Sequence, residues 1–335
     1  MKSLYRLLLI ISLFIGTVYE CFPSSSISIY KADTASFPNI SAQIFFFKDG
    51  FIPDKSITKN NITITENGLA LPVNDFSCPE QNPYNNLSLA ISFDLSSDTS
   101  NAPLNNFELA KTAARKIIQN LNIENTETAI ISFDFFSYLN CDYTRDRAKL
   151  INTVNKLVFQ KNSSFNSCFL TKPAGSLGVS ALGKYQKSII VISDGIGFAS
   201  VDSIITRANE IGAKIFWLEI NNKLSNSLKQ IANNTSGFYF DEITDEKDLD
   251  RAINHILSMA YGYKPCTLTW SSTVNCDSVK NVSIKATNYP AEEKFSYFVP
   301  ITDLPRLLLD PPYLGFSAVM PFTTRDLSVN ITAVN

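Results

Sequence analysis

Leu87-Ser-Leu-Ala-Ile-Ser-Phe-Asp94 and Ser188-Ile-Ile-Val-Ile-Ser-Asp194-Gly195 are the two stretches that decide the fold. Each is short, almost continuously apolar and ends in aspartate. A strand apolar on successive residues is covered on both faces, as in a parallel sheet between helical layers; an antiparallel sheet with one wet face would alternate instead. The intervening segments supply the helices. Phe107, Ala110, Ala114, Ile117, Ile118 and Leu121 share one helical face, as do Leu150, Ile151, Val154, Leu157 and Val158. Thr128 to Phe133 reads as a further apolar strand. A helix over 201–211 stops at Gly212 and leads directly into a strand over 214–220. Phe238 to Phe240 and a helix over 245–261 close the unit. Strands alternating with helices predict a doubly wound, mostly parallel α/β sheet spanning residues 86–262.

The flanks read differently. Ser26-Ile-Ser-Ile-Tyr30 and Ile62-Thr-Ile-Thr65 alternate, with turns at Asp49-Gly50, Pro53-Asp54 and Glu66-Asn-Gly68, so residues 26–80 are expected to form a small β-sandwich-like domain. Cys78-Pro-Glu-Gln-Asn-Pro83 reads as a linker. Past Tyr263 alternation returns in Cys266-Thr-Leu-Thr-Trp270 and Val282-Ser-Ile-Lys-Ala286, giving a second β-rich region over 264–335.

At 335 residues the chain is long enough for two or three domains, and 45% hydrophobic with 18% charged residues is globular composition. Twenty-nine basic against 31 acidic side chains leave a net charge of −2, with no local basic run, which argues against nucleic acid as a partner. Lys2 and Arg6 flank the apolar run Leu7 to Val18, the layout of a signal peptide over residues 1–22, so the mature chain is expected to be secreted or held at the cell surface without a membrane span. Val18-Tyr-Glu-Cys21 lacks the small residues that precede a lipidated cysteine. Export makes the six cysteines disulfide candidates. Cys266 with Cys276 would staple a hairpin, Cys141 with Cys168 would bridge the middle region, and Cys78 would stand alone or join Cys21.

The single histidine, His255, excludes multi-histidine zinc sites and lies on a helix with apolar spacing, where a packing role is expected. There is no nucleophile elbow and no phosphate-cradling glycine loop, so no enzyme activity is expected. Hard oxygen ligands are present instead. Two strands end in Asp94 and Asp194, and Asp94-Leu-Ser-Ser-Asp98 adds hydroxyls and a carboxylate in one tight loop. In a doubly wound sheet ligands bind at the carboxyl ends of the strands, and such a cluster suits Mg²⁺, Mn²⁺ or Ca²⁺. Taken alone, the same spacing also fits a helix cap.

The wider pattern resembles a von Willebrand factor A domain. Leu89-Ala-Ile-Ser-Phe-Asp-Leu-Ser-Ser-Asp98 resembles the family's first strand and metal loop, and Ser188 to Gly195 its strand ending in Asp-Gly. Ala208-Asn-Glu-Ile-Gly-Ala-Lys-Ile-Phe-Trp-Leu218 resembles the helix-Gly-strand unit that follows, and Leu228 to Phe240 the turn before the last strand. The resemblance implies a metal-ion-dependent adhesion site on Asp94, Ser96 and Asp194. Ser176, in Ala174-Gly-Ser-Leu-Gly-Val-Ser-Ala-Leu182, stands where the family has threonine, with Thr171 as the alternative. Asp98 stands where the family has serine, and a direct extra carboxylate would weaken the cation's pull on an acidic partner. The implied function is an adhesion or binding protein that presents a divalent cation to a protein or other extracellular macromolecule; the alternative is a metal-independent structural module. More weakly, Ser28 to Gly68 resembles an immunoglobulin-like domain found before some bacterial von Willebrand A domains. Tyr313 to Asn335 resembles the opening strands of immunoglobulin-like repeats of bacterial surface proteins, which implies a repeat cut short.

Overall fold

The computed structural model describes residues 25–96, 103–160, 164–194, 197–273, 277–299, 306–310 and 328–334. The expected signal segment, Cys21, Asp98, Cys276 and residues 311–327 lie outside the described residues.

Five strands precede the α/β unit: β1 (Ser26–Asp33), β2 (Asn39–Phe47), β3 (Ile62–Glu66), β4 (Leu69–Leu71) and β5 (Val73–Ser77). The Asn67-Gly68 turn joining β3 to β4 has φ of 49° and 83°, the left-handed pair that a two-residue hairpin needs to match strand twist. Within the unit follow β6 (Leu87–Asp94), α1 (Pro103–Asn120), β7 (Thr126–Phe133), β8 (Ser137–Thr144), α2 (Arg147–Asn155), α3 (Phe165–Leu170), α4 (Ser176–Ala181), β9 (Gln186–Ser193), α5 (Val201–Ile211), β10 (Ala213–Ile220), α6 (Asn226–Asn234), β11 (Tyr239–Ile243) and α7 (Glu246–Ala260). The sheet order is β11-β10-β9-β6-β7-β8, parallel throughout except for β8. The central strands β6 and β7 are buried at every position, as central strands of a parallel sheet covered on both faces are. One core lies between the sheet and α1, α2 and α7, and a second lies between the opposite face and α3 to α6. Helix α5 ends at Gly212 with φ of 67°, which turns the chain at once into β10.

After the unit come β12 (Cys266–Ser271), β13 (Val279–Ala286) and β14 (Glu293–Phe298), then a separate antiparallel pair, β15 (Arg306–Asp310) with β16 (Asn330–Val334). The two flanks, expected as separate β domains over 26–80 and 264–335, share their sheets. Strand β12 lies between β2 and β5, and β13 lies between β14 and β3, giving two four-stranded sheets ordered β1-β2-β12-β5 and β14-β13-β3-β4. Ile44, Ile64, Leu268, Trp270 and Ile284 close one common core. One β-sandwich therefore carries the α/β domain as an insertion. Inside that sandwich Lys280 and Glu66 are both buried; Glu66 accepts from Ser272, Thr273 and Tyr297, the partners a carboxylate out of water requires.

Among the described residues the disulfide is Cys78–Cys266, which replaces the expected pairings of both residues. Register explains it: Ser77 of β5 faces Thr267 of β12 in an antiparallel pair, so the next residues along, Cys78 and Cys266, face each other. Cys141 and Cys168 are free because they lie in the two cores on opposite faces of the sheet. Beside the disulfide, Gln81 and Lys264 exchange hydrogen bonds of 3.0 and 2.8 Å, and Tyr84 N donates to Tyr261 O at 2.7 Å. Replacing Cys78 and Cys266 together by serine is expected to lower stability by about 2–4 kcal/mol, read as a fall in the urea midpoint.

Candidate cation site at the strand ends

Strand β6 runs parallel to β9 with Phe93 opposite Ile192, so the carboxyl ends of these neighbours deliver Asp94 and Asp194 to one end of the sheet. Both are nearly inaccessible, 3% and 4% exposed. The chain leaves β6 in a tight turn: Ser96 N and Ser96 Oγ donate to Asp94 Oδ1 at 2.9 and 2.7 Å. Leu95 holds the turn down, its N–H donating to Phe133 O and its carbonyl accepting from Gln160 N. The Ser96 hydroxyl spends its proton on the carboxylate and keeps its lone pairs for another partner.

Ser176 opens α4 and is fully buried; its Oγ donates to Cys168 O at 2.9 Å, so it too keeps lone pairs. Thr171, the alternative from the sequence, is exposed at the end of α3. Asp98 lies outside the described residues, so the position of the fifth predicted ligand is not part of the described geometry. Asp194 is positioned by Asn222, whose Nδ2 donates to its main-chain oxygen at 2.8 Å. Asn222 was not among the predicted residues.

Glu219 was also missed. It closes β10 opposite Ser193, is 1% exposed, and accepts hydrogen bonds from Ser193 Oγ and from Trp217 Nε1. Burial first, then the charges of Asp94 and Asp194, push its carboxyl up to about 8, so it holds its proton at neutral pH. Cys168 lies on the same side of the sheet, and burial raises its thiol well above the usual range. A single acidic residue in the otherwise apolar run Ile215 to Ile220 was the available signal, because such a residue inside a buried strand must be paired or protonated.

The described donors are two carboxylates and two hydroxyls, all oxygen, which fits a hard divalent cation rather than a soft one. After the larger effect of burial, the charges of Asp94 and Asp194 each raise the Glu219 carboxyl, so both carboxylates act on the same end of the sheet. Among the described residues no three His, Cys, Asp or Glu side chains converge as a metal-holding group, so any ion would rely on the hydroxyls and on water for its remaining ligands.

The model of the von Willebrand factor type A domain matches residues 93–255, and the inserted α/β unit is a domain of that kind. Such a domain is a protein-interaction module. Three solved structures illustrate the likeness. The first is proximal thread matrix protein 1 from the mussel byssus with a zinc-occupied adhesion-site motif (17% identity over 55% of this chain and 47% of that one, TM-score 0.42). The second is the von Willebrand domain of the type V pilus tip protein Mfa5 from Porphyromonas gingivalis (11%, 53% and 96%, TM-score 0.42). The third is a von Willebrand factor type A protein from Catenulispora acidiphila (10%, 83% and 74%, TM-score 0.44). The chain thus spans about half the length of the mussel protein. A comparison with curated proteins found no match. Among the described residues no helix is long and apolar enough to cross a membrane.

Proposed function

We propose that this chain is an exported, secreted or cell-surface binding protein whose von Willebrand factor A domain holds Mg²⁺, or Mn²⁺ or Ca²⁺, on Asp94, Ser96, Ser176 and Asp194 and offers it to a protein partner, with Asp98 tuning the charge. The observation that carries the reading is the pair of buried carboxylates at neighbouring strand ends, with the Ser96 hydroxyl bonded to the first of them. When bound, the cation supplies a Lewis-acidic position for a partner's oxygen anion. The chain's own residues set its place: Ser96 orients Asp94, and Asn222 holds the Asp194 backbone. The role is binding rather than catalysis.

Titration calorimetry of the three cations into the chelator-stripped full chain tests this. A saturable isotherm is expected for the wild type, and its disappearance in Asp94→Ala. The convergence of only two described carboxylates favours a second reading, a metal-independent structural or assembly module of a surface protein. A flat isotherm from folded wild type would establish that reading and remove the first.

A further inference from the structure

The parts of the sandwich before and after the inserted domain are tied in one sheet by sulfur. The other sheet brings an amine and a carboxyl together across the same divide. Glu66 ends β3, and Lys280 lies near the start of β13, its antiparallel neighbour. Glu66 pairs with Val282, and Lys280, two residues away on the same inward face, is its diagonal neighbour. Both side chains are wholly out of water, and Lys280 Nζ lies 3.8 Å from Glu66 Oε1. Lysine and glutamate are almost never fully buried unless paired. As a bare ion pair they would add little stability, because the loss of hydration offsets their attraction.

The groups around the pair do more than neutralise it. Ser272 Oγ donates to Glu66 Oε1 at 2.6 Å and Thr273 N at 3.3 Å, while Tyr297 Oη donates to Oε2 at 2.9 Å. Donors on both oxygens draw electrons from the carboxyl carbon and can hold the oxyanion that attack on it produces. Lys280 Nζ also donates to Thr273 Oγ1 at 3.4 Å, which keeps the amine beside the carboxyl. Asp277 Oδ2 lies 3.8 Å from Nζ and accepts from Asn67 Nδ2 at 3.0 Å, which steadies it there. A second carboxylate so close to the amine can carry a proton away from it.

We infer that Lys280 and Glu66 join in an intramolecular amide that the folded sandwich closes on itself. Lys280 passes one proton to Glu66 Oε1, and the freed amine attacks Cδ. The new C–N nitrogen gives a second proton, through Asp277 Oδ2, to the Oε1 hydroxyl. That oxygen leaves as water when the carbonyl reforms on Oε2. One ammonium and one carboxylate become one amide and one water, with no change in net charge and no electron gained or lost. Two features of the core favour the product. The fold already holds the reacting groups together, so closure costs little entropy. The amide also ends the burial of two charges, a driving force that an amine and a carboxylate in water lack. The bond joins β3, before the inserted domain, to β13, after it, as Cys78–Cys266 joins β5 to β12. Each sheet of the sandwich then carries one covalent tie between the two parts of the chain.

Peptide mass spectrometry of the folded full chain, digested after reduction and alkylation, tests this. A branched peptide carrying both Glu66 and Lys280, one water lighter than its two parts, is expected, with fragmentation placing the bond on these side chains. Lys280→Met and Glu66→Ala are each expected to abolish it. Asp277→Asn and Tyr297→Phe are expected to slow closure roughly tenfold or more, read as the joined fraction against time after synthesis. The wild-type digest decides the matter even if a variant does not fold. Glu66 and Lys280 recovered only in separate peptides of full mass overturn the bond, as does a branched peptide that persists in Lys280→Met. Closure at the wild-type rate in both Asp277→Asn and Tyr297→Phe overturns the step as written.

Discussion

Replacing Glu219 by Gln is expected to stabilise the chelator-stripped protein by about 3 kcal/mol at neutral pH and somewhat more in mild alkali, with little effect near pH 4. The carboxyl titrates at about 8 in the folded chain against an ordinary value of 4.5. A carboxyl raised on folding leaves stability intact below the unfolded value and drains it as pH rises, because the unfolded chain sheds its proton first. The loss therefore accumulates between about 4.5 and 8 and is complete above 8. Glutamine retains an acceptor for Trp217 Nε1 and carries no charge to desolvate, so the variant should lose the slope. Urea denaturation at a series of pH values reads it. Parallel wild-type and variant curves across this range would show that Glu219 is ionised in the folded state and held by partners other than Ser193 and Trp217.

The second large effect lies on the acid side, at His255. Its ring is fully buried on α7, where the α/β domain meets the sandwich. Nδ1 lies 2.7 Å from Ser28 Oγ on β1, the ring stacks on Phe238 at 4.7 Å and 3°, and Phe45 and Phe240 present their edges to it. Ser28 and Phe45 are themselves cross-strand partners, so both sheet neighbours of the sandwich touch the same imidazole. Nε2 is buried with no hydrogen-bond partner. Burial, with a smaller push from Arg251, lowers the imidazole to about 3 from an ordinary 6.5. Arg251 is itself held by Glu293 at 2.6 Å and Asp248 at 3.5 Å, so no carboxylate among these is left to receive a protonated ring. For a base lowered on folding, the unfolded chain binds the extra proton. Stability is then whole above 6.5 and is lost as pH falls towards 3, by roughly 4 kcal/mol in all. His255→Gln, which keeps a polar atom for Ser28, is expected to flatten this acid slope at the cost of about 1 kcal/mol of ring packing at neutral pH. An unchanged slope in the variant would move the acid sensitivity to other groups.

What could be read in advance was whatever depends on local pattern. Leu87 to Asp94 read as a central strand because it is short and mostly apolar, and every residue of β6 is buried. Gly212 ended its helix in the left-handed conformation that glycine adopts without strain. Asp94 and Asp194 could be placed at one end of the sheet because parallel neighbouring strands end in them. The pairing of Thr267 with Gln43 and with Ser77 could not be read, because an alternating strand looks the same whichever partner it joins. The cysteine pairing was hidden for the same reason, since it follows from that register. His255 was placed on an apolar helix, but its burial comes from Ser28 and Phe45, more than two hundred positions earlier in the chain.

The Cys78–Cys266 bond has a mechanical meaning. It joins the residue that follows β5, the last sandwich strand before the inserted domain, to the first residue of β12, the first strand after it. Tension applied along the polypeptide from one end of the sandwich to the other therefore crosses from β5 to β12 through sulfur, and the von Willebrand A domain hangs outside the force path as a side branch. Such a branch can unfold, refold or change its grip on a partner without lengthening the tether that carries the load. Pulled from its own surface by a bound partner, the same domain passes the force to the sandwich through this stapled base and through the contacts of α7 with Ser28, Phe45 and Glu293.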